Sequence, residues 1–348
     1  MRASLLLIFL IPLCLSGQML GGTSTFNFLK HSTIPQLTAL GGVNVSQPGN
    51  DAGLAFYNPA LLKESMHTQM NAVFDDHYGG ISVYHLSMAY HLSSIRTSFQ
   101  GGLNYFNYGK VSETDASGNE FGQFRPTDWA LQLSASRVYL EKWSYGATLK
   151  FIQSHYGSYR ANGMALDMGI LFTDSASKLT ASFLVQNLGT QFTSYGGVKE
   201  ELPFDIKMGV TKRLEGAPFS FSLTAQRLNR FNIDYEDTTF NNDNGYANRD
   251  SRIGKIFRHL VLATTVYFGD RAEMYAGYNF LRRKELAVGA AGNGLHGFSM
   301  GLGVFLGKLR LRYGRAYFQP GAALNQLGIS MKLNDYFGLG KFGDKISW

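Results

Sequence analysis

The sequence predicts an all-β membrane protein, a transmembrane β-barrel of about 14 antiparallel strands closed around its own N-terminal segment. Three observations carry that expectation. Apolar and small or polar side chains alternate residue by residue over most of the chain. The composition is poor in charge and rich in glycine and aromatics. A short apolar leader opens the chain, and no later apolar run is long enough for a membrane helix.

Alternation is the deciding signal, because successive side chains of a strand point to opposite faces. Trp129, Leu131, Leu133 and Ala135 form one face, and Ala130, Gln132, Ser134 and Ser136 the other. Phe219, Phe221, Leu223 and Ala225 alternate with Ser220, Ser222, Thr224 and Gln226. Tyr145, Ala147, Leu149 and Phe151 alternate with Ser144, Gly146, Thr148 and Lys150. Near the C-terminus, Leu309, Leu311 and Tyr313 oppose Arg310, Arg312 and Gly314, and Leu327, Ile329, Met331 and Leu333 oppose Gly328, Ser330 and Lys332. A lipid-facing wall reads this way, apolar outward and small or polar inward. A soluble sandwich also alternates, but an apolar face this rich, repeated across most strands beside an export leader, favours the barrel.

Segments of roughly 9–12 residues, tilted by about 45°, span the apolar band of an outer membrane. Fifteen segments alternate, from Met66–Phe74 to Gln326–Leu333. A barrel with both ends in the periplasm needs an even number. The weakest segment is Glu285–Ala291, flanked by Arg282, Arg283 and Lys284. Reading Leu281–His296 as one outer loop leaves fourteen. Short turns then fall near Leu92–Ile95, Tyr139–Lys142, Asp174–Ser177, Glu215–Pro218 and Gly307-Lys308, facing the periplasm. Long loops at Gly109–Thr127, Leu188–Pro203 and Asn229–Arg258 face outward.

Composition agrees. Charged residues make up 16% of the chain and aromatics 14%, with 40 Gly, 26 Phe and 19 Tyr, which suits a membrane barrel better than two soluble domains. At the N-terminus Arg2, the apolar stretch Leu5–Leu15 and the small pair Ser16-Gly17 have the order of a secretory signal peptide. Residues 1–17 are expected to be removed, and Cys14, the one cysteine, leaves with them. Bulky Pro12-Leu13 before Cys14 argue against a lipoprotein. The mature chain then has no disulfide, thiolate nucleophile or cysteine metal site. The formal charge of +7, one less without Arg2, fits contact with outer-membrane lipid or lipopolysaccharide headgroups, although solubility alone explains it equally. No nucleic-acid motif accompanies it.

Residues 18–65 do not alternate, and carry Gly21-Gly22, Gly41-Gly42, Pro48-Gly49 and Asn58-Pro59. Bare backbone polar groups cannot sit in hydrocarbon. This stretch is therefore expected in the periplasm or inside the barrel as a hatch or plug. The barrel follows over 66–333. Residues 334–348 read as a periplasmic C-terminal tail, with Tyr336 and Phe337 suited to the membrane interface.

Three elements resemble a known family. Gly21-Gly22-Thr23-Ser24-Thr25-Phe26-Asn27-Phe28-Leu29, Ala39-Leu40-Gly41-Gly42 and Tyr57-Asn58-Pro59-Ala60-Leu61-Leu62 resemble the start of the PorV/PorQ group of FadL-like outer-membrane barrels of the type IX secretion system. The opening motif resembles the PorQ branch most specifically, while Asn58-Pro59-Ala60 marks only the broad superfamily. The stretch Gly297–Gly301 through Tyr313-Gly314-Arg315-Ala316 is also similar to that group. The resemblance implies a fourteen-stranded barrel with a lumenal hatch and a non-enzymatic role in the attachment complex. There, such barrels hold a PorZ-like surface protein beside PorU and PorV. Cargo is processed by PorU and joined to anionic lipopolysaccharide. The alternative that the superfamily allows is a FadL-like channel for hydrophobic small molecules.

Other motifs are weaker. Gly297-Phe298-Ser299-Met300-Gly301 fits a nucleophile-elbow pattern, but its serine lies inside an alternating segment rather than on a strained strand-to-helix turn. Ser154 and His155 are neighbours on one strand, so they face opposite sides and make no catalytic pair. No enzyme activity is expected. The eight histidines show no paired metal spacing, and Asn241-Asn242-Asp243-Asn244-Gly245 lacks the acidic first position of a calcium loop. No metal or cofactor is expected. Arg249, Arg252, Lys255 and Arg258, after the acidic Asp234, Glu236, Asp237 and Asp243, and also Arg282, Arg283 and Lys284, read either as a docking surface for the partner or lipopolysaccharide phosphates, or as a solvated loop lip. Lys150, Asp167, Arg310, Arg312 and Lys332 fall on inward faces, where charges must pair or meet water. They are expected to bind the hatch, the competing reading being a conductive pore.

Overall fold

A computed structural model describes residues 24–233, 252–286, 295–319 and 322–337. The leader, Gly21, Gly22, Thr23, Arg249, the acidic half of the longest outer loop, the Asn241–Gly245 motif and the tail beyond Phe337 lie outside the described residues. Among the described residues sixteen strands follow one another. They are β1 (Gln69–Asp76), β2 (Ser82–Leu92), β3 (Thr97–Asn107), β4 (Val111–Thr114), β5 (Glu120–Phe124), β6 (Thr127–Tyr139), β7 (Trp143–Tyr156) and β8 (Tyr159–Asp174). They continue as β9 (Leu179–Thr193), β10 (Asp205–Arg213), β11 (Phe219–Ala225), β12 (Leu260–Phe268), β13 (Ala272–Asn279), β14 (Phe298–Leu306), β15 (Leu309–Gln319) and β16 (Ala322–Lys332).

All but β4 and β5 join one closed barrel of antiparallel neighbours, fourteen strands as the alternation predicts. Closure comes from β1 pairing with β16, in register from Gln69↔Lys332 to Asp76↔Asn325. Closure leaves no strand edge, so neighbouring strands supply hydrogen-bond partners all round the wall and it can sit in hydrocarbon. The faces separate as expected. Leu133 is 61% exposed and its neighbour Ser134 3%. Leu131, Tyr145, Leu149, Phe221, Leu223, Leu327 and Ile329 are exposed on the same outer surface. A continuous apolar belt around a closed barrel is a lipid-facing surface. The protein is therefore an outer-membrane barrel. No helix among the described residues is long and apolar enough to cross a membrane.

The periplasmic turns are tight. Leu140 and Glu141 have φ of 48° and 60°, two left-handed residues of the three-residue turn between Tyr139 and Trp143. Gly216 and Gly307, with φ of 70° and 60°, do the same for their turns without a Cβ penalty.

The outer loops depart from expectation. Gly109–Thr127 contains the hairpin β4–β5, which pairs only with itself. The stretch assigned to a loop from Leu188 instead continues β9 to Thr193, after Asn187 turns left-handed at φ 57° and the pairing with β8 shifts between Leu166 and Met168. Asn229–Arg258 ends in the helix Arg252–Arg258. Of the stretch Leu281–His296, the start falls within the helix Phe280–Leu286, which buries Leu281, Arg282 and Leu286, and residues 287–294 lie outside the described residues. At the other end, Asn334–Phe337 forms one helical turn with Tyr336 exposed.

Candidate functional site: the lumenal hatch

The segment before β1 lies inside the barrel and is built from short helices: Asn27–Lys30, Pro35–Ala39, Ala52–Tyr57, Pro59–Leu61 and Glu64–Met66. Its apolar side chains Ile34, Leu37, Leu54, Leu61, Leu62 and Met66 are buried, and they pack with Val73, Ala89 and Leu171 of the wall. Helix Pro35–Ala39 lies along β13–β16, and Pro59–Leu61 along β6–β8.

The inward small residues of the wall make that approach possible. A Cβ on Gly277 would stand 2.3 Å from Gly41 N, and one on Gly314 2.4 Å from Pro35 O. On the opposite wall, a Cβ on Gly146 would stand 2.6 Å from Pro59 C, and one on Gly169 2.4 Å from Asn58 Oδ1. Backbone cannot yield at such distances. Alternation shows that small residues face inward; the structure adds that hatch backbone fills the space they leave.

Polar wall residues then satisfy the hatch backbone, whose buried N–H and C=O groups need partners. Gln326 Nε2 donates to Ser32 O at 2.6 Å, and Gln100 Nε2 to Ala52 O at 2.6 Å. Gln186 Nε2 donates to Tyr57 O at 3.0 Å, and Ala52 N donates to Gln69 Oε1 at 3.1 Å. Lys207 Nζ, which sequence reasoning missed, donates to Tyr57 Oη at 2.7 Å. Ser299, the serine of the elbow-like motif, donates to Ala39 O at 2.9 Å and accepts from Gly41 N at 3.0 Å. It is a hatch contact in a straight strand. Phe298 and Met300 face outward beside it.

Of the inward charges, Arg312 pairs with Asp51 at 2.6 Å, and Arg310 Nη1 donates to Asn50 O at 2.7 Å. Both bind the hatch as expected. Lys150 and Asp167 instead pair with each other at 2.6 Å across β7 and β8. Neighbouring strands brought them together, so they need no hatch partner.

The family-like residues hold the hatch. Phe26, left-handed at φ 54°, and Phe28 are buried, and Phe28 meets Phe106 edge-on at 5.1 Å. Asn27 stays at the surface, where its Oδ1 accepts from Lys30 Nζ at 2.8 Å, and Leu29 packs at the edge of the same cluster. Gly41 and Gly42 have φ of 91° and 89°, a conformation that suits glycine. Asn58 is fully buried: its Oδ1 accepts from Ala60 N at 3.1 Å, and its Nδ2 donates to Val45 O at 2.7 Å and Ser182 Oγ at 2.9 Å. Pro59 starts the short helix that this asparagine caps.

The basic loop residues divide. Arg252 and Lys284 are exposed, and Lys255 and Arg283 half-buried. Arg258 and Arg282 are buried, which corrects their assignment to a docking surface. Arg282 Nη2 donates to Gly41 O at 3.2 Å, and burial lowers its affinity for a proton below that of an ordinary arginine. A charge run read as a loop lip is partly a hatch latch, because the helix turns one side of the run inward.

His31 of the hatch meets Asp75 and His77 at the outer end of β1, with their ligand atoms within 4.8 Å of one another. Separation in sequence hid this grouping.

A cavity of about 30 Å³ lies between Phe28, Leu37, Phe56, Asn104 and Lys150, room for roughly one or two waters. Toward the outer mouth Phe26, Phe28, Val83, Phe106, Ile152 and Leu202 form one buried apolar cluster edged by Tyr108 and Tyr195. On the lipid side a depression of about 360 Å³ opens over Ala72, walled by Phe74, Tyr84, Leu86, Leu103 and Ile329.

No protein-family model matches the chain, and no curated protein matches it. Among solved structures, the toluene transporter TodX of Pseudomonas putida is similar over 86% of this chain and 96% of its own, with 11% identity and a TM-score of 0.50. A FadL homologue of Pseudomonas aeruginosa matches over 86% of this chain and 98% of its own, with 11% identity and a TM-score of 0.49. The CymD monoaromatic hydrocarbon channel matches over 86% and 96%, with 11% identity and a TM-score of 0.48. The fold is thus a fourteen-stranded barrel like that of TodX, with an N-terminal segment ahead of the wall.

Proposed function

We propose that this protein is a hatch-gated outer-membrane channel for small hydrophobic molecules. The observation that carries the reading is the apolar cluster around Phe28 and Phe106 at the outer mouth. A barrel interior that only held water would have no reason to gather phenylalanines there. An apolar molecule entering from outside would meet this cluster first and the hatch behind it. The described conformation is closed, so passage requires the hatch to shift. The fold shared with a toluene transporter supports the same reading. Expression in cells stripped of their own channels of this kind should speed entry of a labelled monoaromatic hydrocarbon. Phe28→Asp should remove the gain while the barrel still inserts. Equal entry with and without the protein would end the proposal.

A second reading, an anchor for a PorZ-like surface protein beside PorU and PorV, has its own support. Helix Arg252–Arg258 leaves Ile253, Ile256 and Phe257 exposed at the outer rim beside Arg252 and Lys255, a mixture of apolar and basic groups suited to a protein or lipopolysaccharide partner. Affinity purification from native membranes tests it. A surface protein retained by the wild type and lost with Ile256→Asp would favour the anchor, and purification of the barrel alone would remove it.

A further inference from the structure

We propose that His31, Asp75 and His77 form a site for a first-row divalent transition cation of the Zn²⁺ class, bridging the hatch to the barrel wall. His31 Nε2 lies 2.9 Å from Asp75 Oδ2 and 2.9 Å from His77 Nε2, and His77 Nε2 lies 3.6 Å from Asp75 Oδ2. Two ligands about 2.1 Å from one tetrahedral ion stand about 3.4 Å apart. Shifts of a few tenths of an ångström therefore bring the three atoms onto one ion. Imidazole with carboxylate is a donor set that suits Zn²⁺ and its neighbours rather than Ca²⁺ or Mg²⁺.

Two further observations separate this cluster from an incidental contact. Asp75 is 1% exposed, yet among the described residues no Lys or Arg stands within ion-pair distance, and its Oδ1 accepts no hydrogen bond. A buried carboxylate needs compensating positive charge, and among the described residues two imidazoles that converge on the same point are the ionisable groups placed to help supply it. The carboxylate is also positioned from behind: Gln326 Nε2 donates to Asp75 Oδ2 at 2.8 Å while donating to Ser32 O of the hatch at 2.6 Å. An outer-shell residue that orients a ligand in this way is part of a built metal site.

The bridge has a direction. Asp75 and His77 belong to the wall at the outer end of β1, whereas His31 follows the first hatch helix. A cation held by all three fastens the hatch at the mouth, with solvent as the remaining ligand. Each neutral imidazole binds the cation through an unprotonated Nε2 and keeps its one N–H on Nδ1, so the proton shared between the rings moves to the other side of its ring on binding. This assignment is independent of whether the barrel passes molecules or anchors a partner.

The test is Zn²⁺ titration, by calorimetry, of the full-length mature protein carrying no histidine tag. One saturable site is expected. Asp75→Asn and His77→Ala should each weaken it by more than the roughly 10–100-fold that loss of an outer-shell partner costs, and Gln326→Leu should fall within that range. His155→Ala, on the outer face, should bind as the wild type does. Retention of the heat-sensitive gel mobility of a folded barrel identifies variants that still fold, and Co²⁺ absorption of the four-coordinate type reports the ligand set. Slower amide exchange around Phe28–Ile34 on adding Zn²⁺ is expected in the wild type and not in His77→Ala. Absence of a saturable site, unchanged binding in folded Asp75→Asn and His77→Ala, or binding without any effect on hatch exchange would each overturn the proposal.

Discussion

Arg312 of β15 reaches Asp51 at 2.6 Å, and the same carboxylate caps helix Ala52–Tyr57 by accepting from Gly53 N at 2.7 Å. One aspartate thus both starts a hatch helix and ties it to the wall. Both partners are buried. Arg312→Met leaves the carboxylate uncompensated, at a cost of about 3–5 kcal/mol. Amide exchange over residues 52–57 should quicken while the strand amides stay protected. Unchanged exchange there would show that the pair does not hold the helix.

Asn58 makes three hydrogen bonds, one as a cap and two that reach Val45 and Ser182. Asn58→Ala removes all three and strands buried partners, for a loss of about 2–4 kcal/mol in hatch docking. Limited proteolysis should then cut the segment before β1 in a barrel that still migrates as folded. Protection equal to the wild type would contradict the clamp.

Gly277 has no room for a side chain, since its Cβ would meet the backbone of Leu40 and Gly41. Gly277→Val should push the hatch off β13. Planar-bilayer recording should find the wild type nearly silent, given hatch helices packed against both β13–β16 and β6–β8, and the variant conductive. A silent variant with its hatch displaced would mean that other groups block the lumen.

The wall itself gives a paired test. Leu133→Arg puts a charge on the lipid face and should cost about 2–4 kcal/mol near the bilayer midplane. Ser134→Ala, one residue along and facing inward, loses only its hydrogen bond with Thr148 and should cost about 1 kcal/mol. Denaturant titration of folding into lipid vesicles measures both. Equal costs would mean the two faces are not distinct.

The barrel was readable because its signal is local. Leu131, Gln132 and Leu133 declare their faces by position alone, and fourteen such segments close a cylinder. The hatch was readable as non-strand, but its contacts were not, since nothing in Gly146 or Gly277 announces that Pro59 or Gly41 will press on it. Arg282 and Arg258 misled for a related reason: a run of charge looks solvated until a helix rotates part of it inward. His31 lies far along the chain from Asp75 and His77, so no spacing rule could join them; only the closing of the wall around the hatch does.

The pairing of β1 with β16 has a consequence for biogenesis. The first wall strand must wait for the last before its outer edge is covered, so the seam joins residues from nearly the whole length of the chain. Contacts of such long range form late. Gln69 donates to Ser330 and Gln326 to Asp75 across that seam, and both glutamines also grip the N-terminal segment. Sealing the cylinder and locking its contents are therefore one event, and any insertion machinery has to keep the early part of the chain tucked in place until the final strand arrives.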